Sequence, residues 1–139
     1  KNMRTLRDGG SAGGVAAALW AYLGAKLVDG ATYFLERTKF QESLRKSDMV
    51  ITGEGCIDHQ TLRGKAPVRI ALMAKRQSLP VVGIAGSIPL NPGVELQRCF
   101  DVLMPISQQP MDLCTALSLT RDNLKRTATA LGNLLAVLR

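Results

Sequence analysis

Residues 49–55, Met49-Val50-Ile51-Thr52-Gly53-Glu54-Gly55, carry the decisive change of pattern: a short apolar, β-branched run breaks into glycines around one carboxylate. Val50 and Ile51 favour a buried strand, and Thr52-Gly53-Glu54-Gly55 reads as the glycine loop that ends it. The pattern recurs. Pro80 introduces Val81-Val82-Gly83-Ile84-Ala85-Gly86 as a second buried strand, and Val102-Leu103-Met104-Pro105-Ile106-Ser107 is a third, with Pro105 marking a sheet edge. Residues 66–78 between the first two are helical, with Pro67 acceptable in the first turn and Ile70, Ala71, Met73 and Ala74 facing inward. Residues 92–97 form a short helical turn before the third strand. Strands alternating with helices from residue 49 onward mean βαβ units, so the expected class is α/β, a Rossmann-like parallel sheet flanked by helices.

Upstream, residues 14–28 recur at helical spacing through Leu19, Tyr22, Leu23 and Leu27, with Asp29-Gly30 as a stop, and predict a largely buried helix. Residues 31–47 continue as a shorter amphipathic helix in which Glu42 precedes Lys46 by four positions and supports it as an ion pair. Downstream, Leu113, Leu117, Leu124, Ala128, Leu131, Leu135 and Leu138 fall on one face of a single helix, opposite Arg121, Lys125 and Arg126, and predict a helix covering the sheet. The change of period divides the chain into a helical segment, residues 1–47, and a Rossmann-like α/β segment, residues 48–139.

Composition bounds the function. The 139 residues are 46% hydrophobic and 21% charged, which is enough apolar material for a core and the opposite of a disordered chain. Cys56, Cys99 and Cys114 are odd in number and form no C-x-x-C pair, so a disulfide framework and a cysteine zinc site are both disfavoured and a reducing cytoplasm fits. Cys56 and His59 make a C-x-x-H pair, but His59 is the only histidine and two ligands do not close a tetrahedral site. The net charge of +7 invites nucleic acid, yet six aromatics, Trp20, Tyr22, Tyr33, Phe34, Phe40 and Phe100, offer no stacking platform, so no nucleic-acid partner is expected. The uncharged stretch 9–25 falls short of the ~20 residues of a membrane span and is punctuated by glycines, so no membrane partner is expected. Lys1-Asn2-Met3-Arg4 has no apolar signal region behind it, so no signal peptide is expected, and with no methionine at position 1 the expectation is of a chain that has lost its beginning.

In an open parallel sheet, ligands bind outside the carboxyl ends of the strands. Three loops qualify, at residues 52–66, 86–92 and 107–110, and the first is the richest. It holds Thr52, Glu54, Asp58, His59, Gln60, Thr61, Arg63 and Lys65 with Gly53, Gly55 and Gly64, far beyond the ~2–6 residues that a βα connection needs. Glycines let backbone N–H groups approach a phosphate, Lys65 adds charge where a helix begins, and Glu54 and Asp58 are the carboxylates for Mg²⁺. No acidic residue occurs from His59 to Val94, while Arg63, Lys65, Arg69, Lys75 and Arg76 do, a local field suited to an anionic ligand. The plainer reading stands beside each: Glu54 and Asp58 as caps or turn formers, Thr61 as an N-cap, Lys65 as a solvated lysine. A second glycine cluster, Gly9-Gly10-Ser11-Ala12-Gly13-Gly14, opens the first helix; it is neither a dinucleotide fingerprint nor a P-loop, and suits either an anion or close helix packing.

The run Gly53-Glu54-Gly55-Cys56-Ile57-Asp58-His59-Gln60-Thr61-Leu62-Arg63-Gly64-Lys65-Ala66-Pro67, followed by Pro80-Val81-Val82-Gly83-Ile84-Ala85-Gly86, closely resembles the bacterial glycerate kinase family. The likeness runs from about Gly9 to Arg139 and matches the C-terminal portion of longer, two-lobed enzymes. Cys56 stands where the family more often has arginine, and Arg69 where it more often has glycine. The resemblance implies ATP- and Mg²⁺-dependent phosphorylation of D-glycerate at the 2-hydroxyl in the cytoplasm, in a cleft between lobes. It implies that residues 1–47 belong to or bridge to the second lobe. It further implies that the N-terminal part of the kinase supplies the rest of the site, so this chain alone is inactive, with a homodimer left open. On that reading Glu54, Asp58 and Lys65 are catalytic, Glu54 and Asp58 serve Mg²⁺, and Thr52, Gln60 and Thr61 hydrogen-bond the ligand. Gly10, Ser11, Gly13, Gly14, Gly53, Gly55 and Gly64 offer backbone contacts. Two other functions compete: a basic, non-catalytic α/β module binding nucleic acid or an acidic partner, and a kinase for a related small hydroxy acid.

Overall fold

A computed structural model describes residue 3 and residues 5–138. Lys1, Asn2, Arg4 and Arg139 lie outside the described residues, so the reading of the chain's opening rests on sequence alone. The centre is a parallel sheet of β1 (Val50–Cys56), β2 (Val81–Ser87) and β3 (Val102–Pro105) in that spatial order. Helices α1 (Val15–Leu23), α2 (Gly30–Arg37) and α3 (Phe40–Leu44) precede it. Helix α4 (Ala66–Lys75) connects β1 to β2, and α5 (Gly93–Cys99) connects β2 to β3. Helices α6 (Leu113–Ser118) and α7 (Thr120–Val137) follow. The α/β class and the flanked parallel sheet are as the sequence predicts.

One face of the sheet carries the core. Val50, Val81 and Ala85 meet Val68, Ala71 and Ala74 of α4, Leu96 and Cys99 of α5, and Ile57, Phe100 and Leu44. Ala71, Ala74, Val81, Leu96 and Ile57 are wholly buried; a large apolar side chain in such a place stabilises by about 1.5–3 kcal/mol. Small residues at 71 and 74 let α4 lie close to the strands. Gly83 of β2 makes room for the side chains beside it: a Cβ there would come within 2.7 Å of Leu103 and 2.9 Å of Phe100. Asp101 closes the unit at its lower edge. Its carboxylate accepts from the Val81 N–H at 2.7 Å and from the Lys75 ammonium, so the end of α4, the start of β2 and the entry to β3 share one anion.

Several expectations change. Strand β1 does not stop at Ile51 but pairs with β2 through Glu54↔Ala85 and Cys56↔Ser87, because its glycines permit backbone contact that side chains would block. A Cβ on Gly53 would sit 2.2 Å from the Ile84 carbonyl oxygen, and one on Gly86 2.8 Å from that of Gly55. Helix α1 ends at Gly24, which takes φ +67, rather than at Asp29. Asp29 instead starts α2, its side chain accepting from the Thr32 N–H at 2.8 Å. Nor is α1 buried: none of its residues is, and Tyr22 is 82% exposed. Residues 31–47 form two helices, and Glu42 pairs with Lys39 at 3.9 Å rather than with Lys46.

Strand β3 ends at Pro105, at the sheet edge as Pro105 implied. The leucine-rich tail is two helices divided at Leu119, where Ser118 and Thr120 hydroxyls turn back to the Thr115 and Ala116 carbonyls. Its buried side is Asn123, Thr127 and Leu131, with Leu135 half-buried, whereas Leu113, Leu117, Leu124, Ala128 and Leu138 are exposed. Arg126 ties α7 to the end of β3, donating to the Ile106 carbonyl at 3.3 Å and to Asn123 Oδ1 at 2.8 Å.

Candidate active site

The longer β1 moves Thr52, Gly53, Glu54 and Gly55 out of the expected loop and into the strand. What remains between Cys56 and α4 is a tight unit built on Asp58 and Thr61. Asp58 Oδ1 accepts from the N–H groups of Gln60 at 2.7 Å and Thr61 at 3.3 Å, while Thr61 Oγ1 accepts from the Asp58 N–H at 3.1 Å. This is a reciprocal cap, in which each side chain satisfies the other residue's backbone, and it explains the D-x-x-T spacing. A single 3-10 turn, Thr61–Arg63, follows, and Gly64 at φ +97 redirects the chain so that Lys65 stands just before α4.

Across this turn lies Glu54. Its Oε1 accepts the Thr61 hydroxyl at 2.5 Å and its Oε2 accepts from Lys65 Nζ at 3.1 Å. The Glu54 side chain is only 18% exposed and that of Lys65 is 44% exposed, so an inner carboxylate holds an outer cation. The hydrogen bond to Glu54 pushes the Lys65 ammonium above its usual lysine range. The Gln60 N–H is the main cause of a depressed Asp58 carboxyl. Burial, aided by Asp58, raises the Cys56 thiol, whose Sγ lies 3.6 Å from Asp58 Oδ2.

Beside Glu54 opens a cleft of about 840 Å³ over the sheet face turned away from the core. Ile51, Gly53, Gly55, Ile84 and Gly86 form its floor, and Leu113, Leu117 and Leu124 of α6 and α7 its wall. Thr52 and Glu54 also line it, as do Ser107 and Gln109 from the loop after β3. The structure therefore brings Thr52, Gly53, Glu54, Gly55, Asp58, Gln60, Thr61, Gly64 and Lys65 into one region. Gln60 is exposed and contributes its backbone N–H to Asp58; Thr61 is fully buried. The glycine cluster stands elsewhere: Gly10, Ser11, Gly13 and Gly14 precede α1, with Ala12, Gly13 and Gly14 all at positive φ, and none of them lines the cleft.

The leucine wall was absent from the expected site, since periodicity alone assigns such residues to a core. Among the described residues no group of three or more His, Cys, Asp or Glu side chains is placed to hold a metal ion. Both Glu54 oxygens are engaged, and Asp58 presents Oδ2 beside Cys56. That set is too small for a protein cage but fits Mg²⁺ carried on phosphates, which takes one or two carboxylates and keeps several waters.

The glycerate kinase family profile matches residues 1–136. The chain belongs to the glycerate kinase family. It is 39% identical over 127 residues to the glycerate kinase of Bacillus subtilis (strain 168), covering 89% of this chain and 33% of that protein. It is 35% identical over 136 residues to the glycerate 2-kinase of Escherichia coli (strain K12), covering 98% and 36%. A solved structure described as glycerate kinase 2 from Salmonella typhimurium LT2 superposes with a TM-score of 0.66 at 37% identity, covering 95% of this chain and 33% of the other. The chain thus spans about a third of the length of these glycerate kinases. No helix among the described residues is long and apolar enough to cross a membrane.

Proposed function

We propose that this chain forms the phosphate-handling part of an ATP- and Mg²⁺-dependent kinase acting on the 2-hydroxyl of D-glycerate in the cytoplasm. The observation that carries the reading is the Glu54–Lys65 pair at 3.1 Å, in which Glu54 lines the cleft and Lys65 stands just before α4. A phosphate arriving there meets the Lys65 ammonium just before α4, at the positive end of the helix dipole, with the glycines of the cleft floor beyond Glu54. Phosphoryl transfer needs such positioning and charge more than covalent chemistry. Lys65 is the phosphate cation, Glu54, with both oxygens engaged, holds that cation rather than a metal, Asp58 is the carboxylate for Mg²⁺ or the substrate hydroxyl, and Thr52 and Gln60 are hydrogen-bonding groups. Bound Mg²⁺ would neutralise charge on the phosphates. The polypeptide that completes the longer relatives supplies the remaining site surface, and residues 1–47 belong to or bridge to that second lobe.

The test is thermal unfolding with and without Mg²⁺-ATP, and with D-glycerate in a second series, since a ligand that binds only the native state raises its apparent stability. The wild-type chain should shift with nucleotide, and Lys65→Ala should lose that shift while melting at its ligand-free temperature. An equal shift in Lys65→Ala would remove Lys65 from the phosphate site.

A further inference from the structure

Thr61 is a buried polar side chain with 0% exposure, seven positions after Glu54 in sequence and in direct contact with it. A threonine hydroxyl has one proton and two lone pairs. One lone pair takes the Asp58 N–H at 3.1 Å, and an ionised Glu54 accepts but does not donate, so the proton is committed to Glu54 Oε1 at 2.5 Å. The Cys56 carbonyl at 3.4 Å is a distant second acceptor. Short O–H···O⁻ contacts of this kind are charge-assisted and roughly twice as strong as neutral ones. Neither face of the hydroxyl is left for a ligand. Glu54, fixed at Oε1, has only Oε2 to turn outward, and that oxygen holds Lys65.

From this geometry we propose that Thr61 is a positioning residue: it touches no ligand, and orients Glu54, which lines the cleft, so that the carboxylate holds Lys65. The proposal rests on the reading of Lys65 as the phosphate cation. It differs from a merely structural role, because the Asp58 cap already holds the turn through Oδ1 without the Glu54 contact. Without the Thr61 hydroxyl, the carboxylate regains its side-chain freedom and Lys65 behaves as an ordinary solvated lysine.

The experiment uses the full 139-residue chain and reads the acetylation rate of Lys65 at one fixed pH by mass spectrometry, with the exposed Lys26 as internal standard. Glu54, Asp58 and Cys56 are the titratable groups whose charges reach Lys65, and fixed pH holds them constant. Thr61→Val keeps the shape and removes the hydroxyl; it should accelerate Lys65 acetylation several-fold, as should Glu54→Gln. Thr61→Ser keeps the hydroxyl and loses a buried methyl, so it should melt at lower temperature yet retain the wild-type rate. That opposition between stability and reactivity separates positioning from packing. An unchanged rate in Thr61→Val, or acceleration in Thr61→Ser, overturns the proposal. Should Thr61→Val not fold, the wild-type chain decides: its Thr61 hydroxyl proton should give a slowly exchanging NMR resonance, and rapid exchange overturns the assignment. Mg²⁺-ATP titrations of Lys65→Ala test the underlying reading separately, since an unaltered affinity there defeats the phosphate role and leaves the Thr61–Glu54–Lys65 linkage standing.

Discussion

Asp101 gathers three elements through one carboxylate, and its titration follows from that. The Lys75 ammonium, and then the Val81 N–H, hold its carboxyl below the ordinary 3.8. A depressed folded-state pKa contributes stability that is fully present above the unfolded value and is lost as pH falls through the folded one. The chain should therefore lose melting temperature as pH drops below about 3.8, and Asp101→Ala should lower the neutral-pH melt while flattening that acid limb. Melts of both proteins from neutral pH downward check this; parallel curves would show that the acid sensitivity comes from other carboxylates. At this scale the sequence was partly legible. Asp58 as a turn former followed from its type and place; the Glu54–Lys65 pair did not, because the two lie eleven positions apart and meet only across the turn. The burial of Thr61 did not, because it depends on where a strand seven residues earlier places Glu54.

At the scale of elements, the strands' core residues were legible from β-branched runs and their parallel pairing from alternation with helices. The length of β1 was not, because glycine is ambiguous in sequence: it permits a turn and equally permits two backbones to touch. Gly53 and Gly55, two positions apart, separate these cases. A Cβ on Gly53 meets the Ile84 carbonyl at 2.2 Å, whereas one on Gly55 meets nothing within 4 Å. Backbone cannot rotate aside as a side chain does, so Gly53→Ala should destabilise by about 3 kcal/mol or more, at the upper end of overpacking costs. Gly55→Ala should stay within about 1 kcal/mol of wild type, since alanine loses less chain entropy in a strand than glycine does. Urea unfolding of the two variants measures the difference, and equal midpoints would mean that β1 and β2 do not pair beyond Thr52.

Across the whole molecule, the leucine stripe shows how far periodicity reaches. It correctly marks an apolar face, but a face becomes core only where something lies against it. Leu117 and Leu131 belong to the same predicted stripe, yet Leu117 is 65% exposed on the cleft wall and Leu131 is 6% exposed on the other side of the Leu119 bend. Hydrophobic pattern reports which residues share a face, while burial reports which of them this chain packs. Substitution should separate the two. Leu131→Ala should cost about 2–5 kcal/mol through lost burial and a residual cavity. Leu117→Gln should leave stability within about 0.5 kcal/mol, as surface changes do, and reduce binding of an environment-sensitive apolar dye to the cleft. Denaturant curves with parallel dye titrations decide it: a Leu117→Gln loss as large as that of Leu131→Ala would show that α6 packs onto the sheet in solution and that the cleft is closed.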